Sequence, residues 1–301
     1  MNASRTLWIL PAVLLAAATG ASAFSLGDVQ VWTGTGVNQA MLVIDWNGNP
    51  SQSIAWGFRW NGTATGMDML KALAGSGLIR NAYTGATVGT LHGADPRLYA
   101  RLSTWVGANT SVFGLGYDVN NNASGFVSGT EGAATETGYA NESADFYAEG
   151  WINPRWGYSV YVPGPGDANQ DDEVGPEDFG MLKDNFGLDN NATWAMGDFN
   201  HDNEVGPEDF GILKDNFGLD YTGSWIAAPI GPSVRILSNN DRDAWVFGGG
   251  IEPHAPTAAG APLTAAPEPL SLALLLLGGA VLPGRRTKFP AHGQPSPARL
   301  Q

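Results

Sequence analysis

DANQDDEVGPEDFGMLKDNFGLD (Asp167–Asp189) is followed by DFNHDNEVGPEDFGILKDNFGLD (Asp198–Asp220), 31 residues on from start to start. From the glutamate onward the copies differ only at Met181 against Ile212. The pair lies in mid-chain, so its reading decides whether the residues on either side are two domains or one. Counting Asp167 as position 1, positions 3, 5, 7 and 12 are Asn169, Asp171, Glu173 and Asp178. The second copy repeats the pattern with Asp198, Asn200, Asp202, Glu204 and Asp209. Side-chain oxygens at positions 1, 3, 5 and 12, with a backbone carbonyl at position 7, are what a calcium loop needs to surround one hard cation. Position 9 is Gly175 or Gly206, which leaves that ligand to water. Position 6, which favours glycine for a positive φ, carries Asp172 and Asn203, residue types that tolerate that region.

Each loop runs into a predicted helix. Pro176 and Pro207 suit a first helical position, and Gly187 and Gly218 suit a helix stop. Phe179, Leu182 and Phe186 fall on one apolar stripe, repeated as Phe210, Leu213 and Phe217. One loop–helix unit cannot bury such a stripe alone, so the copies are expected to pack together about a pseudo-twofold axis. Without metal the carboxylates of each loop repel, which couples folding to binding of two Ca²⁺ ions. Two loop–helix segments in tandem, each ending in Asp at position 12, resemble a dockerin type I module over Gly166 to about Asp220, of the kind found in exported proteins of planctomycete-like bacteria. The resemblance implies a cohesin-like partner, recognised through positions 10 and 11: Pro176 and Glu177, Pro207 and Glu208.

The flanks read as β-rich. VQVWTGTGVNQAMLVIDW (residues 29–46) gives two strand candidates around a turn, and SIAWGFRW (53–60) another. Met67, Leu70, Leu73 and Ala74 share a helical face. Residues 94–102 and 114–119 follow, then an Asn/Ser/Gly-rich stretch from Asn120 to about Asn141 reads as surface loop, and residues 150–162 as an aromatic strand. After the repeats, residues 224–248 are strand-like around an Asn239-Asn240-Asp241 turn, too short for a domain yet carrying Trp225, Ile236, Leu237, Trp245 and Phe247. The economical expectation is that they complete the sheet begun upstream, with the repeats inserted in one of its loops. The WGFRWNGTATGMDMLKAL stretch with its later Trp-Gly-Tyr strand is similar to a module in exported bacterial proteins and, more distantly, to β-grasp modules of the transcobalamin-like type.

Both ends read as addresses. Residues 1–23 combine Arg5, an apolar run and Ala21-Ser22-Ala23, the pattern of a signal peptide. Pro267-Glu268-Pro269, then LSLALLLLGGAVL, then Arg285 and Arg286, resemble the PEP-CTERM sorting tail of Gram-negative bacteria. That resemblance implies export, processing by an exosortase-type membrane enzyme, transient membrane contact through the tail, and residence at the cell surface or in extracellular matrix.

Composition bounds the remaining chemistry. A formal charge of −14, from 15 Lys plus Arg against 29 acids, argues against a nucleic-acid partner. No cysteine means no disulfide and no thiolate site. Of four histidines only His92 lies in the larger domain's sequence away from the repeats and the Pro-rich tail. No nucleophile elbow or phosphate-binding glycine loop is present. Asp45, Asp68, Asp145 and Glu149 are the acids that a glycoside-active enzyme would have to pair. Trp32, Trp46, Trp56, Trp60, Trp151 and Trp156 are candidate sugar platforms for a carbohydrate- or small-ligand-binding module, and extracellular polysaccharide is the matching partner.

The expected fold is α+β and β-rich: an antiparallel sheet domain with one main helix, plus an inserted all-α, dockerin-like pair of EF-hand-type loop–helix units. The corresponding boundaries are 1–23 signal peptide, 24–162 with 222–250 split domain, 163–221 calcium module, 251–266 linker, 267–288 sorting tail and 289–301 extension. Binding and scaffolding, rather than catalysis, is the expected function.

Overall fold

The computed structural model describes residues 25–29, 31–48, 52–105, 110–129, 138–151, 154–220 and 223–256. The signal-peptide and sorting-tail stretches, including Pro267, Glu268, Pro269, Arg285 and Arg286, lie outside the described residues. The chain divides into units Met1–Pro262 and Leu263–Gln301, and every described residue belongs to the first.

In chain order the elements are β1 (Val31–Gly34), β2 (Asn38–Asp45), β3 (Ser53–Trp60), α1 (Gly66–Leu73), β4 (Ala74–Asn81), β5 (Thr87–Thr90), β6 (Asp95–Thr104), β7 (Thr110–Tyr117) and β8 (Phe126–Val127). They continue with β9 (Tyr139–Ala140), β10 (Phe146–Glu149), β11 (Trp156–Val162), α2 (Pro176–Asn185), α3 (Pro207–Asn216), β12 (Ser224–Ala227) and β13 (Arg242–Phe247). The fold is α+β and β-rich. One sheet runs β1-β3-β2-β13-β11-β12, a second β10-β7-β6-β4-β5, and β8 and β9 form a small pair within the stretch read as surface loop.

The sheets are mixed, which corrects the expectation of an antiparallel domain. β1 pairs parallel to β3, β13 to β2, and β4 to β6. The two strand candidates of residues 29–46 are therefore not hairpin partners: β3 lies between β1 and β2. The far neighbour of β2 is β13, supplied by the chain after the repeats, in register Arg242↔Met41 through Val246↔Asp45.

Burial explains the strand sequences. Leu42, Ile44 and Trp56 from the first sheet meet Leu98, Leu102 and Leu115 from the second in one core, while Met41, Val43, Ala55, Ala244 and Val246 form a cluster on the first sheet's opposite face. A strand covered on both sides carries an unbroken apolar run, as Ala40–Ile44 does. α1 begins at a Thr65–Asp68 capping box. Its free amides at Gly66 and Met67 donate to the carbonyls of Arg235 and Pro232, and Leu237 N–H donates to the carbonyl of Ala64. Residues after the repeats thus stitch into the element order that precedes them. Leu237 and Trp245 are buried as expected, whereas Ile236 is 62% exposed because the Thr65↔Ile236 bridge turns it outward.

Candidate metal centre

The segment between β11 and β12 leaves and returns at adjacent strands, since Val162 pairs with Ser224. It carries α2 and α3 and its own hydrophobic cluster of Ala168, Val174, Leu182, Ala192, Phe199, Val205 and Leu213. The copies exchange backbone. Val174 N–H donates to the carbonyl of Leu219 and the Val174 carbonyl accepts from Gly218 N–H, while Val205 N–H donates to the carbonyl of Leu188 and the Val205 carbonyl accepts from Gly187 N–H. Each loop is thereby clipped to the chain leaving the other copy's helix.

α2 and α3 start at their prolines and end one residue before Phe186 and Phe217, which already have extended backbone. The stripe read along one helical face is therefore cut. Leu182 and Leu213 are buried, but Phe186 and Phe217 are exposed, and Phe179 and Phe210 are 40% and 41% exposed. Gly187 and Gly218 sit at φ +90° and +78°, the left-handed stop anticipated for them.

The loops coil on their own amides. Asp178 accepts from Ala168 N–H at 2.8 Å, Asn169 N–H at 3.1 Å and Gly175 N–H at 2.8 Å. Asp167 accepts from Asp171 N–H at 3.2 Å and Asp172 N–H at 3.0 Å. Asn169 accepts from Asp171 N–H and donates to the Asp171 carboxylate, which also accepts from Glu173 N–H. The second loop reproduces each bond. Asp209 accepts from Phe199, Asn200 and Gly206, Asp198 from Asp202 and Asn203, Asn200 joins Asp202, and Asp202 accepts from Glu204 N–H. Asp172 and Asn203 have φ of +72° and +69°, as position 6 requires. Gln170 and His201, at position 4, are also left-handed, at +61° and +62°.

The donor set of each loop is entirely hard oxygen, the chemistry of Ca²⁺ rather than of a transition metal. Asp167, Asp178, Asp198 and Asp209 are buried. Burial, with Asp178 and Asp171 nearby, pushes the Asp167 carboxyl up to about 7, and burial also raises Asp178. Two desolvated carboxylates held by backbone amides suit a loop that receives a cation. Among the described residues no group of three or more His, Cys, Asp or Glu side chains converges closely enough to hold a metal ion. The carboxylates face loop amides, so a bound ion would have to draw them together. Pro176, Glu177, Pro207 and Glu208 sit in the first turns of α2 and α3, with both glutamates exposed.

The other candidate groups are dispersed. Asp45 accepts from Asn47 N–H and pairs with His254 at 2.8 Å. Asp68 serves the α1 cap. Asp145 accepts from Val119 N–H and Ser124, and Glu149 from Tyr147, Ser128 and Gly129 N–H beside Arg101. His92 is an exposed partner of Thr90. Trp46, Trp56, Trp60 and Trp156 are buried and present no ring face to a sugar; Trp32 and Trp151 are half-buried, Trp32 beneath the Arg59 guanidinium.

Missed by sequence reasoning were the residues outside the repeats that touch the first loop: Tyr161 on β11, Arg242 on β13 and Asn240 in the turn before β13. They lie up to 72 residues away in the chain and belong to no motif. No family model, no curated protein and no solved structure matches this chain.

Proposed function

We propose that the two loops bind one Ca²⁺ each, in an exported, surface- or matrix-associated protein that binds and scaffolds rather than turns over a substrate. The observation that carries the reading is the doubled loop. Position-1 and position-12 carboxylates are buried in both copies, with all-oxygen donors between them. Asp167, Asn169, Asp171 and Asp178 would hold one ion with the Glu173 carbonyl; Asp198, Asn200, Asp202, Asp209 and the Glu204 carbonyl would hold the other. A bound Ca²⁺ supplies the positive charge that offsets repulsion among these carboxylates and locks each loop to its helix.

The tandem arrangement, the packing of Leu182 and Leu213 in one small core and the reciprocal clips at Val174 and Val205 support a dockerin-like module inserted between β11 and β12. Its partner would be a cohesin-like domain or extracellular polysaccharide, with Glu177 and Glu208 available at the helix starts. Export and surface retention rest on the resemblance of the two ends to a signal peptide and a PEP-CTERM tail.

Calorimetric titration of Ca²⁺ into EDTA-stripped full-length chain tests the reading. Two bound ions accompanied by a gain of helical circular dichroism are expected. No heat and no spectral change at millimolar calcium would overturn it.

A further inference from the structure

The loops are nearly identical in sequence, yet their surroundings differ. Loop one is fastened to the six-stranded sheet through atoms that a calcium ion does not need. The Arg242 guanidinium, on β13 and 1% exposed, donates to the carbonyl of Gln170 at position 4. It lies 3.6 Å from the Asp172 carboxylate at position 6 and stacks over the Tyr161 ring at 4.4 Å. The Tyr161 hydroxyl, on β11, donates to the same Asp172 carboxylate and accepts from Gly223 N–H. Asn240 donates to the carbonyl of Asn169 at 3.1 Å, and its own amide is oriented by Gln39 of β2. Trp194, between the copies, donates to the carbonyl of Asp167 at 2.6 Å.

Loop two shows no such fastening among the described residues. Among the described residues, the carbonyls of Asp198, Asn200 and His201 and the side chain of Asn203 receive no hydrogen bond from the sheet. Asp198, His201 and Asn203 instead line an open cleft, across which lie Tyr161, Arg235 and Asp241.

We propose that Tyr161, Asn240 and Arg242 are positioning residues for the first loop alone, making it the tighter of two unequal calcium sites and the one whose occupancy is transmitted to β11 and β13. The inference rests on the calcium reading. Its physical basis is preorganisation: a loop already held at the carbonyls of positions 3 and 4 and at the side chain of position 6 loses less freedom on closing around an ion. By reciprocity, an ion that rigidifies the loop must tighten the sheet residues that hold it.

The full-length chain, stripped with EDTA and titrated with Ca²⁺ alone, provides the test. Asp171→Ala silences the first loop and Asp202→Ala the second. The site left in Asp202→Ala is expected to bind on the order of tenfold more tightly than the site left in Asp171→Ala. Calcium should slow amide exchange of β11 and β13 in the unsubstituted chain and in Asp202→Ala, but not in Asp171→Ala. Asp172→Gly keeps a residue that accepts the positive φ while removing the contact with Tyr161 and Arg242, and should weaken the first site several-fold. Asn203→Gly, its counterpart, should leave the second site as tight or tighter. These loop-side variants carry the test even where Arg242→Met does not fold. A merely structural role would lower the melting point with and without calcium and leave both affinities unchanged. Two ions bound with equal affinity, or sheet protection from either loop, overturns the inference and spares the calcium reading. No binding at either loop overturns both.

Discussion

Asp167 has a completely buried carboxylate that accepts from the backbone amides of Asp171 and Asp172, and burial beside Asp178 and Asp171 pushes it up to about 7 from an ordinary 3.8. Its folded value lies above its unfolded one, so the fold favours the protonated form. The stability contributed by that proton is fully present below about 4 and is lost as pH rises through about 7. Asp178, raised by the same burial, has the same sign. In EDTA the melting temperature should therefore fall, on the order of 5 °C, between pH 4.5 and 8. If the loops bind Ca²⁺ as proposed, saturating calcium should take the proton's place and the fall should shrink. Asp241, pushed up to about 6 by burial near Asp243, adds a slope of the same sign in both conditions, so the comparison between them isolates the loop. Equal slopes with and without calcium would remove the carboxylates from the account. At this scale the loop backbone was legible because its pattern is local: Asp172 and Asn203 hold the left-handed conformation expected at position 6. The left-handed Gln170 and His201 were not, since neither residue type announces that conformation. Nor was Arg242 against Gln170, which depends on how β13 is placed.

α2 and α3 show how far an apolar period can be trusted. Their starts follow from Pro176 and Pro207, and their stops from Gly187 and Gly218, all readable in the chain. The stripe was over-extended because Phe186 and Phe217 belong to the caps, where extended backbone no longer presents them on the helical face that Leu182 and Leu213 bury. Truncating Leu182 or Leu213 to alanine should destabilise the repeat pair by about 2–5 kcal/mol, the range for a fully buried leucine. Truncating Phe186 or Phe217, each half exposed or more, should cost less than about 1 kcal/mol. Calcium-loaded chemical denaturation, followed by helical circular dichroism, measures both. A phenylalanine variant as damaging as a leucine variant would mean that the stripe is buried in solution after all. The same limit applies to strands. The apolar run of β2 marks it as buried on both faces, but it does not say which strand lies beside it or in which direction. The antiparallel expectation failed there because the neighbour arrives from beyond the repeats and runs parallel.

For the whole molecule, the mid-chain position of the repeats was the informative feature. The strands after Ser224 were too few to stand alone, and β13 lies between β2 and β11, near the middle of the six-stranded sheet. The two hydrophobic clusters of the sheets contain no residue from the repeats, and the repeats' cluster contains none from the strands. Core packing therefore separates them. What joins them is polar: Arg242 to Gln170, Tyr161 to Asp172, and Asn240 to Asn169. Val162 and Ser224 are paired neighbours at the ends of β11 and β12, so excising residues 163–223 and closing the gap with a two-residue Asn-Gly turn should convert the excursion into an ordinary hairpin. Arg242 and Tyr161, buried now by the repeats, would meet water in the excised chain, so no charge is left stranded in the interior. The loss is then about three hydrogen bonds, each contributing roughly 1 kcal/mol, or a melting point lower by about 5–10 °C than that of the calcium-loaded full chain. The excised protein should still unfold in a single cooperative transition, and calcium should no longer shift it. Scanning calorimetry of the soluble product decides the matter: a product that aggregates or melts without a cooperative peak would mean that the repeats are part of the sheet's folding unit.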